Sequence, residues 1–387
     1  MSRLDRRQEG EAPSQSRRDA IKLGSSLGLL GIALPLAGNV SAMRVDSDIA
    51  AGRQHVVESN ERTVRVGVVD PKADAIVTIE SGDVVRYVNT WINWGNEAKY
   101  GMSFAEREPI RRKYPKGPYS LVGPVAVRGA EPGDLIECRM IKLRPVDWGW
   151  NSAPPGVGAL PGEFAEPYLK YFRFDRERKY ADFAPGIRIP LKPIQGFMAT
   201  APASDETRSA ILAGPNGGNL ALSELVAGTS LFLPVSRDGA MIWTGNSHAV
   251  QGDGQVDQTT IETAMEDLQI QYVLHKGASL PGPMAETPTH WIGLGFGETI
   301  ADALKSCLRE MIKWLAATAG IAEVQAYAIY SMAGSFRITQ YADQVASAYS
   351  VIPAKAVHGM LPKSIFTAEM RDRIARKTRT GDSGSSE

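Results

Sequence analysis

Cysteine is scarce in this chain of 387 residues, which contains only Cys138 and Cys307. Two cysteines are too few for a disulfide framework, and their spacing is not the Cys-x-x-Cys pattern of many zinc and redox sites. We therefore expect two buried free thiols. A single disulfide stays open as an alternative, because the N-terminal residues predict export to an oxidising compartment, where disulfides persist.

The chain also lacks an excess of charge and a long apolar run. Its 43 basic and 43 acidic residues give a formal net charge of zero. No basic stripe with interleaved aromatic residues is present, so nucleic acid is excluded as a partner. The apolar stretch 23–36 is shorter than the roughly 20 residues that a membrane helix needs, and a stable membrane anchor is excluded with it.

The N-terminal residues have the features of an export signal. Residues 16–22 read SRRDAIK, which is close to the twin-arginine pattern, and the apolar stretch 23–36 has the length of a signal h-region. Residues 40–42 supply the small side chains that a signal peptidase recognises. We predict a removed signal peptide over residues 1–42, export of the precursor by the twin-arginine machinery, and a periplasmic mature protein that begins at Met43.

Strand patterns dominate the first 290 residues of the chain. Residues 62–88 contain short β-branched runs separated by glycine and aspartate turns. Residues 126–140 predict a β-hairpin around a Glu-Pro-Gly-Asp turn. The tryptophan-, proline- and glycine-rich segment 148–162 has no periodicity, and we interpret it as an ordered loop.

Helical periodicity replaces the strand pattern near the C-terminus. Apolar residues recur at helical spacing over residues 299–319, and Gly320 predicts the end of that helix. Further helices are expected over residues 322–332 and near 339–347. The chain is therefore predicted to be α+β and mainly β, without an internal domain boundary, and to end in a disordered tail over residues 371–387.

One segment combines several side chains that can carry chemistry. Residues 242–255 read IWTGNSHAVQGDGQ and contain His248 and Asp253, and Glu262 follows shortly after. A histidine can act as a base or a ligand near neutral pH, and carboxylates can orient it or bind a cation. The segment predicts a catalytic or metal site, with a purely structural turn as the alternative.

A second glycine-rich segment, residues 214–220, contains Asn219. Successive backbone N–H groups in such a turn can bind an anion or stabilise an oxyanion. A sharp turn before a strand explains the same sequence equally well.

Together with neighbouring segments, these motifs resemble those of the acetamidase/formamidase family. Residues 245–255 resemble the family's Gly-Asp-x-His-x-x-Gln-Gly-Asp-Gly-Glu signature. The other matching segments are, in order, the Gly-Pro and Gly-Ala-Glu-Pro-Gly-Asp element at 123–134, the Gly-Gly-Asn turn at 217–219, the Ile-Glu-Thr triplet at 261–263 and the closing segment at 326–340. On this resemblance, residues 43–370 form the catalytic region.

The resemblance implies a homo-oligomeric hydrolase that releases ammonia and a carboxylate from a small amide. It also implies a β-sandwich body with an additional C-terminal α/β portion, and a divalent metal, zinc or calcium. Carboxylates usual in the family are replaced here by Asn246, Gln255, Ala221 or Leu222, and Ser335. Because a divalent cation needs several anionic or imidazole ligands, these replacements count against a metal site.

Two schemes for hydrolysis stay open. With a metal, His248 and Asp253 are its ligands and Glu262 is a nearby acid or the general base for water. Without a metal, His248 activates water and Asp253 holds its tautomer, while Asn219 and Asn246 donate hydrogen bonds to the developing oxyanion.

Substrate binding is assigned to Asn219, Gln251, Trp148, Trp150 and Trp243, since the three indole rings can line a pocket for an amide larger than formamide. The rival hypothesis is a non-catalytic periplasmic binding protein that keeps the fold and has lost the family's acids. Hydrolysis of esters or lactones in the same pocket is a third hypothesis.

Overall fold

The computed structural model describes residues 52–341, 343–344 and 349–381. The predicted signal peptide over residues 1–42 lies outside the described residues. All described residues belong to one compact unit, Val45–Glu387. None of the described helices has both the length and the apolar character needed to cross a membrane.

The first sheet combines strands from both ends of the described chain. Its nine strands lie side by side in the order β1 (Gln54–Glu58), β5 (Val84–Val88), β20 (Met265–His275), β7 (Leu135–Pro145), β17 (Ser230–Pro234), β21 (Met284–Glu286), β22 (His290–Gly297), β25 (Lys355–Pro362) and β23 (Ser335–Gln340). The β1–β5 pair is parallel and the other pairs are antiparallel.

The second sheet carries the residues of the predicted site. Seven of its ten strands follow the order β10 (Tyr168–Arg173), β8 (Trp148–Ala153), β19 (Ile261–Glu262), β18 (Ile242–Val250), β13 (Ile194–Ala199), β16 (Gly217–Asn219) and β15 (Ala213–Gly214). The remaining strands are β6 (Ser120–Val127), which pairs with β18, and β2 (Val64–Val66) and β4 (Val77–Ile79), which pair with β6.

Short ribbons and helices complete the described structure. The two-stranded ribbons are β11 (Tyr180–Ala184) with β12 (Ile187–Pro190), β3 (Val68–Val69) with β14 (Arg208–Ser209), and β9 (Val157–Gly158) with β24 (Asp343–Gln344). The helices are α1 (Phe104–Arg112), α2 (Ile300–Ala319), α3 (Glu323–Ala333) and α4 (Ala368–Thr380), with a 3-10 turn at Lys363–Ile365.

The main apolar core lies between the two sheets. It joins side chains of the first sheet, such as Leu231 and Ile270, to side chains of the second, such as Val125 and Ile242. A separate core forms where α2, α3 and α4 pack on the first sheet, with Trp314 against Trp291. The prediction of a mainly β, α+β fold with a C-terminal α/β portion is confirmed.

The hairpin predicted over residues 126–140 is wrong in its pairing, although its strand, turn and strand are present. Strand β6 pairs with β18 in the second sheet, whereas β7 pairs with β17 and β20 in the first. The turn therefore crosses from one sheet to the other. Each strand buries its apolar side chains against partners distant in sequence, and those partners leave no signal in a local pattern.

The ordered loop predicted over residues 148–162 is also corrected, because it contains two strands. Residues Trp148–Ala153 form β8, which pairs with β10 along its whole length. Trp150 is only 1% exposed, and the buried indole rings fix this glycine- and proline-rich segment in place.

The predicted helices at α2 and α3 are confirmed, whereas the helix predicted after them is wrong. Thr299 caps α2, and Gly320 ends it with a positive φ of 70°, as its sequence indicates. The third predicted helix, near 339–347, does not form in the described part, since Ser335–Gln340 and Asp343–Gln344 are strands.

The disordered tail predicted over residues 371–387 needs correction as well. Residues up to Thr380 belong to α4, and 382–387 lie outside the described residues. Helix α4 buries only Ile374 and Thr378 and is otherwise rich in charge, so its apolar pattern is too weak to predict a helix.

Both cysteines are free and buried, as expected, and no disulfide joins them. Burial raises the pKa of Cys138 well above its ordinary value and that of Cys307 to about 12. Both therefore stay as protonated, unreactive thiols at neutral pH.

A buried ionic cluster fixes α4 to the first sheet. The Arg379 guanidinium donates to Glu137 Oε1 at 3.2 Å and to Glu286 Oε2 at 2.8 Å. Glu137 is completely buried and also accepts from Arg139 at 3.0 Å and His275 at 2.9 Å. The positive charges of Arg139 and Arg379 thus offset the negative charges of Glu137 and Glu286.

Candidate active site

A cavity opens beside the second sheet, between β19, helix α1 and the segment that follows β23. It leaves about 90 Å³ for the centres of water-sized molecules. This volume is several times the minimum of about 10–15 Å³ that one water molecule needs. The polar and aromatic side chains that line it include Asn93, Arg107, Tyr119, Trp150, Asn219, Gln255, Glu262 and Gln340.

Glu262 supplies the carboxylate of this cavity. It is 6% exposed and lies on β19, directly opposite His248 of β18. Its Oε2 accepts a hydrogen bond from the Asn93 amide at 2.9 Å, and its Oε1 accepts one from the Thr260 hydroxyl at 3.2 Å. Neutral donors thus hold this carboxylate at the cavity wall, and no lysine or arginine of the described residues lies within ion-pair distance of it.

His248 lies immediately behind this carboxylate. It is 1% exposed, and its Nε2 is 3.6 Å from Glu262 Oε1 and 3.1 Å from Asn246 Oδ1. Its Nδ1 is 2.9 Å from Gln251 Oε1. Gln251 donates through its Nε2 to the Ala221 carbonyl, so its oxygen must accept and Nδ1 must carry a proton. The other ring nitrogen, Nε2, is the one that faces Glu262.

Asn246 and Asn219 form the wall next to the imidazole. Asn246 adopts a left-handed backbone with φ of 53°, which asparagine tolerates better than most residues. Its Nδ2 donates to Asn219 Oδ1 at 3.4 Å. Asn219 lines the cavity, whereas Asn246 does not.

The substrate-binding residues predicted from the sequence divide into three groups. Asn219 and Trp150 line the cavity. Trp148 packs against Trp150 with ring centroids 5.7 Å apart, and Gln251 holds His248 from behind. Trp243 is completely buried in a different apolar cluster and does not line the cavity.

Asp253 lies apart from His248, and its predicted role of holding the histidine tautomer belongs to Gln251. The Asp253 carboxylate instead accepts from the Ser223 hydroxyl at 2.7 Å. It belongs with Glu224 and His358 to a group whose ligand atoms lie within 4.8 Å of one another. These three residues, named here the acid–histidine cluster, form a candidate metal-binding triad.

The surroundings of His248 fit a metal ion less well than the acid–histidine cluster does. His248 and Glu262 are one imidazole and one carboxylate, whereas a catalytic zinc site uses three ligands of this kind. The family's acidic positions nearby are occupied by Asn246 and Gln255. A metal held jointly by His248 and Asp253 stays a prediction, and the described triad of acids and histidine does not include His248.

Two further lining residues were not identified from the sequence. Arg107 is 2% exposed, and its guanidinium lies over the Trp150 ring at 4.3 Å and the Tyr171 ring at 4.9 Å. Burial raises the pKa of Tyr119, so its hydroxyl stays a proton donor at the cavity wall. Both come from segments far from the glycine-rich motif, and neither has a spacing that would mark it.

Comparisons with known proteins all point to one family. A model of the acetamidase/formamidase family matches residues 69–210 and 203–368. An acetamidase of Mycolicibacterium smegmatis is 25% identical over 36% of this chain and 49% of that protein. The chain spans about half the length of the curated relatives it matches.

Solved structures extend the similarity along most of the chain. A Bacillus halodurans acetamidase superposes with a TM-score of 0.69 at 26% identity, over 81% of this chain and 98% of that chain. A Yersinia enterocolitica acetamidase has a TM-score of 0.71 at 23% identity, over 81% and 92% of the respective chains. The second comparison is evidence of a shared fold.

Proposed function

Because this chain belongs to the acetamidase/formamidase family, we propose that it hydrolyses the carbon–nitrogen bond of a small amide in the cavity beside Glu262. Water adds to the amide carbonyl carbon, the carbon–nitrogen bond breaks, and the products are ammonia and a carboxylic acid. The observation that carries the proposal is a buried carboxylate at the wall of a small cavity that is also lined by carboxamides, aromatic rings and the guanidinium groups of Arg107 and Arg111.

The polar lining is suited to an amide. Carboxamide side chains present both N–H donors and carbonyl acceptors, and an amide substrate needs one of each at its own oxygen and nitrogen. Asn93, Asn219, Gln255 and Gln340 supply these groups within one cavity. A cavity with room for several water molecules suits a substrate of a few heavy atoms, such as formamide, acetamide or a moderately larger amide.

In the proposed reaction, Glu262 accepts a proton from the attacking water. Glu262 then gives this proton to the departing nitrogen, and His248 Nε2, 3.6 Å behind Glu262 Oε1, supports the carboxylate in this exchange. Tyr119 is the lining donor that stabilises the negative charge on the carbonyl oxygen. The Asn219 amide lines the same wall, but its two protons are donated to the Ile211 carbonyl and to Gln340 Oε1. His248 therefore contributes to water activation through Glu262.

Ammonia release by the purified protein tests this proposal. The substrates are a series from formamide to aromatic amides, and the paired control is His248→Ala. We expect release on at least one small amide and a loss of about 10²-fold or more in the variant. Absence of release on every amide would favour the non-catalytic binding protein, and equal release by His248→Ala would remove the histidine from the mechanism.

The close approach of Gly196 to the site gives a second prediction in the same assay. A Cβ at Gly196 would lie 2.7 Å from the Asn246 backbone oxygen and 2.9 Å from His248 Cε1. Gly196→Ala must therefore displace the imidazole, and a shift near 1 Å at a catalytic group can reduce the rate on the order of 10²-fold.

Gly162→Ala is the matched control, because a Cβ there meets no atom within 4 Å. Thermal melting of both variants separates loss of fold from loss of geometry. Unchanged turnover by a folded Gly196→Ala protein would contradict a role for the position of His248.

We also propose export to the periplasm by the twin-arginine route. Support comes from the arginine pair at residues 17–18, the apolar stretch 23–36 and the small residues 40–42. Sequencing the N-terminus of protein recovered from the periplasmic fraction tests this proposal. A mature chain that begins at Met43 would agree with it, and a cytosolic chain that retains Met1 would contradict it.

We further propose that the protein is a homo-oligomer. Helix α3 exposes apolar side chains at Val324, Tyr327 and Met332, of which Met332 is 78% exposed, and such surfaces favour association. Light scattering coupled to size-exclusion chromatography distinguishes an oligomer from a monomer of 41.8 kDa.

A further inference from the structure

Arg107 of helix α1 is a buried cation at the wall of the cavity that also contains Glu262. The residue is 2% exposed, and no carboxylate of the described residues lies within ion-pair distance of its guanidinium. Burial lowers the pKa of Arg107, but a guanidinium stays protonated at neutral pH. Buried charges in proteins are normally paired, because an ion loses far more hydration than a neutral group does. The missing anion therefore needs an explanation.

The hydrogen bonds of this guanidinium are also incomplete. A guanidinium has five N–H donors, and in the described structure Nε donates to the Tyr171 hydroxyl at 3.1 Å. The buried Nη2 has no acceptor among the described residues. A buried donor without an acceptor is costly, and most such groups in proteins have a partner. Because Arg107 lines the cavity, a ligand bound there can supply the missing acceptor.

Aromatic rings hold the guanidinium in place without replacing an anion. Its central carbon lies 4.3 Å from the centroid of the Trp150 ring, 4.9 Å from that of Tyr171 and 5.7 Å from that of Trp94. The face of an aromatic ring attracts a cation, and it compensates part of the charge. Ring faces are nevertheless weak hydrogen-bond acceptors, so they leave the N–H groups available. The rings thus fix the position of a cation whose donors are free to bind a ligand.

The sheet places this cation beside the carboxylate that the proposed hydrolysis uses. Trp150 of β8 is the register partner of Glu262 of β19, so the two side chains leave the same face of the second sheet. Arg107 lies over the Trp150 ring, yet no ion pair joins it to Glu262 in the described structure. The other lining arginine, Arg111, already pairs with Glu108 at 3.1 Å. The cavity therefore presents a carboxylate and a separate, unpaired guanidinium to one ligand.

We propose that the substrate carries a carboxylate, which Arg107 binds while the amide group lies beside Glu262. The inference rests on the proposed amide hydrolysis and names its substrate class, a short monoamide of a dicarboxylic acid. A carboxylate has two oxygens that accept parallel hydrogen bonds from a guanidinium, and its charge replaces the missing anion. The neutral amide suits the other end, because Glu262 repels a second negative charge. Hydrolysis consumes one water molecule and gives ammonia and the dicarboxylic acid.

Matched pairs of charged and neutral amides test the proposal on the purified full chain. The monoamides of malonic, succinic and glutaric acid are each compared with the corresponding diamide, which has the same size but no charge. We expect kcat/KM for ammonia release to be at least about tenfold higher for the best monoamide than for its diamide. Arg107→Gln should remove this preference. Arg112→Gln, which replaces an exposed arginine of the same helix, should keep it.

Binding of butyrate tests the carboxylate site without turnover, because butyrate has no amide to hydrolyse. Butyrate should raise the melting temperature of the wild-type chain above that in sodium chloride of equal ionic strength, and it should not do so for Arg107→Gln. Butyrate binding without ammonia release from any amide would support the carboxylate site and contradict the hydrolysis.

Three results would overturn the proposal. The first is a wild-type chain that hydrolyses the diamides as well as the monoamides, a comparison that needs no variant to fold. The second is an unchanged preference in a folded Arg107→Gln protein. The third is a wild-type melting temperature that butyrate does not raise.

Discussion

Replacing Glu262 with glutamine is expected to lower kcat for amide hydrolysis by about 10²–10⁴-fold, with a small effect on KM. Glutamine keeps the shape of the side chain and most of its contact with Asn93, but it cannot accept a proton from water. The cavity itself is retained, so substrate binding changes little. Initial rates of ammonia release, measured on the best amide of the series, give kcat and KM separately.

Glu266→Gln is the control for this substitution. Glu266 lies on β20 of the first sheet, its side chain is 47% exposed, and it pairs with Arg144 and Arg178. We expect this variant to keep the wild-type rate. If a folded Glu262→Gln protein kept more than a tenth of kcat, another group would have to take the proton, and His248 would be the first to test.

Replacing Arg379 with methionine is expected to cost about 3–5 kcal/mol of the free energy of unfolding. Methionine fills much of the same volume, but it leaves Glu137 and Glu286 buried with fewer compensating charges. A loss of this size lowers the melting temperature on the order of 10 °C. Denaturant unfolding measures the free energy, and Arg376→Met, an exposed arginine of the same helix, is the matched control.

This destabilisation should depend on pH. Burial alone would raise the pKa values of Glu137 and Glu286, but the His275 hydrogen bond to Glu137 and the charge of Arg379 near both hold them below the ordinary 4.5. The stability from the carboxylates is therefore complete above pH 4.5 and is lost as the pH falls through the folded-state pKa values. The difference between wild type and Arg379→Met should be largest at neutral pH and should narrow below about pH 4. A difference independent of pH would contradict the ionic origin.

The sequence predicts most clearly those features that lie within one short segment. His248, Glu262 and Asn219 stand in recognisable local motifs, and the structure places all three at or beside the cavity. Trp150 also lines the cavity, as expected for one of the three indole rings assigned to an amide pocket. The local spacing of apolar residues likewise predicts helix α2, whose apolar face repeats through five turns.

Features that depend on several distant segments could not be predicted in the same way. The acid–histidine cluster joins positions 224, 253 and 358, which antiparallel pairing brings together without any fixed spacing. The motif alone predicts Asp253 as the partner of His248, its neighbour in sequence. Trp243 is predicted to line the pocket with the other two indole rings, although its strand directs the side chain into the apolar cluster with Phe197.

The arrangement of the first sheet determines when this protein can fold during its synthesis. Strands β5 and β7 are made early, but they lie in one sheet with β22, β23 and β25, which are made last. Arg379 then closes the ion cluster on Glu137 across a separation of 242 residues. Contacts this distant in sequence form slowly, because a long loop must close before they contribute. The nascent chain therefore exposes unpaired strands until translation is nearly complete, which makes this interval its period of greatest susceptibility to aggregation.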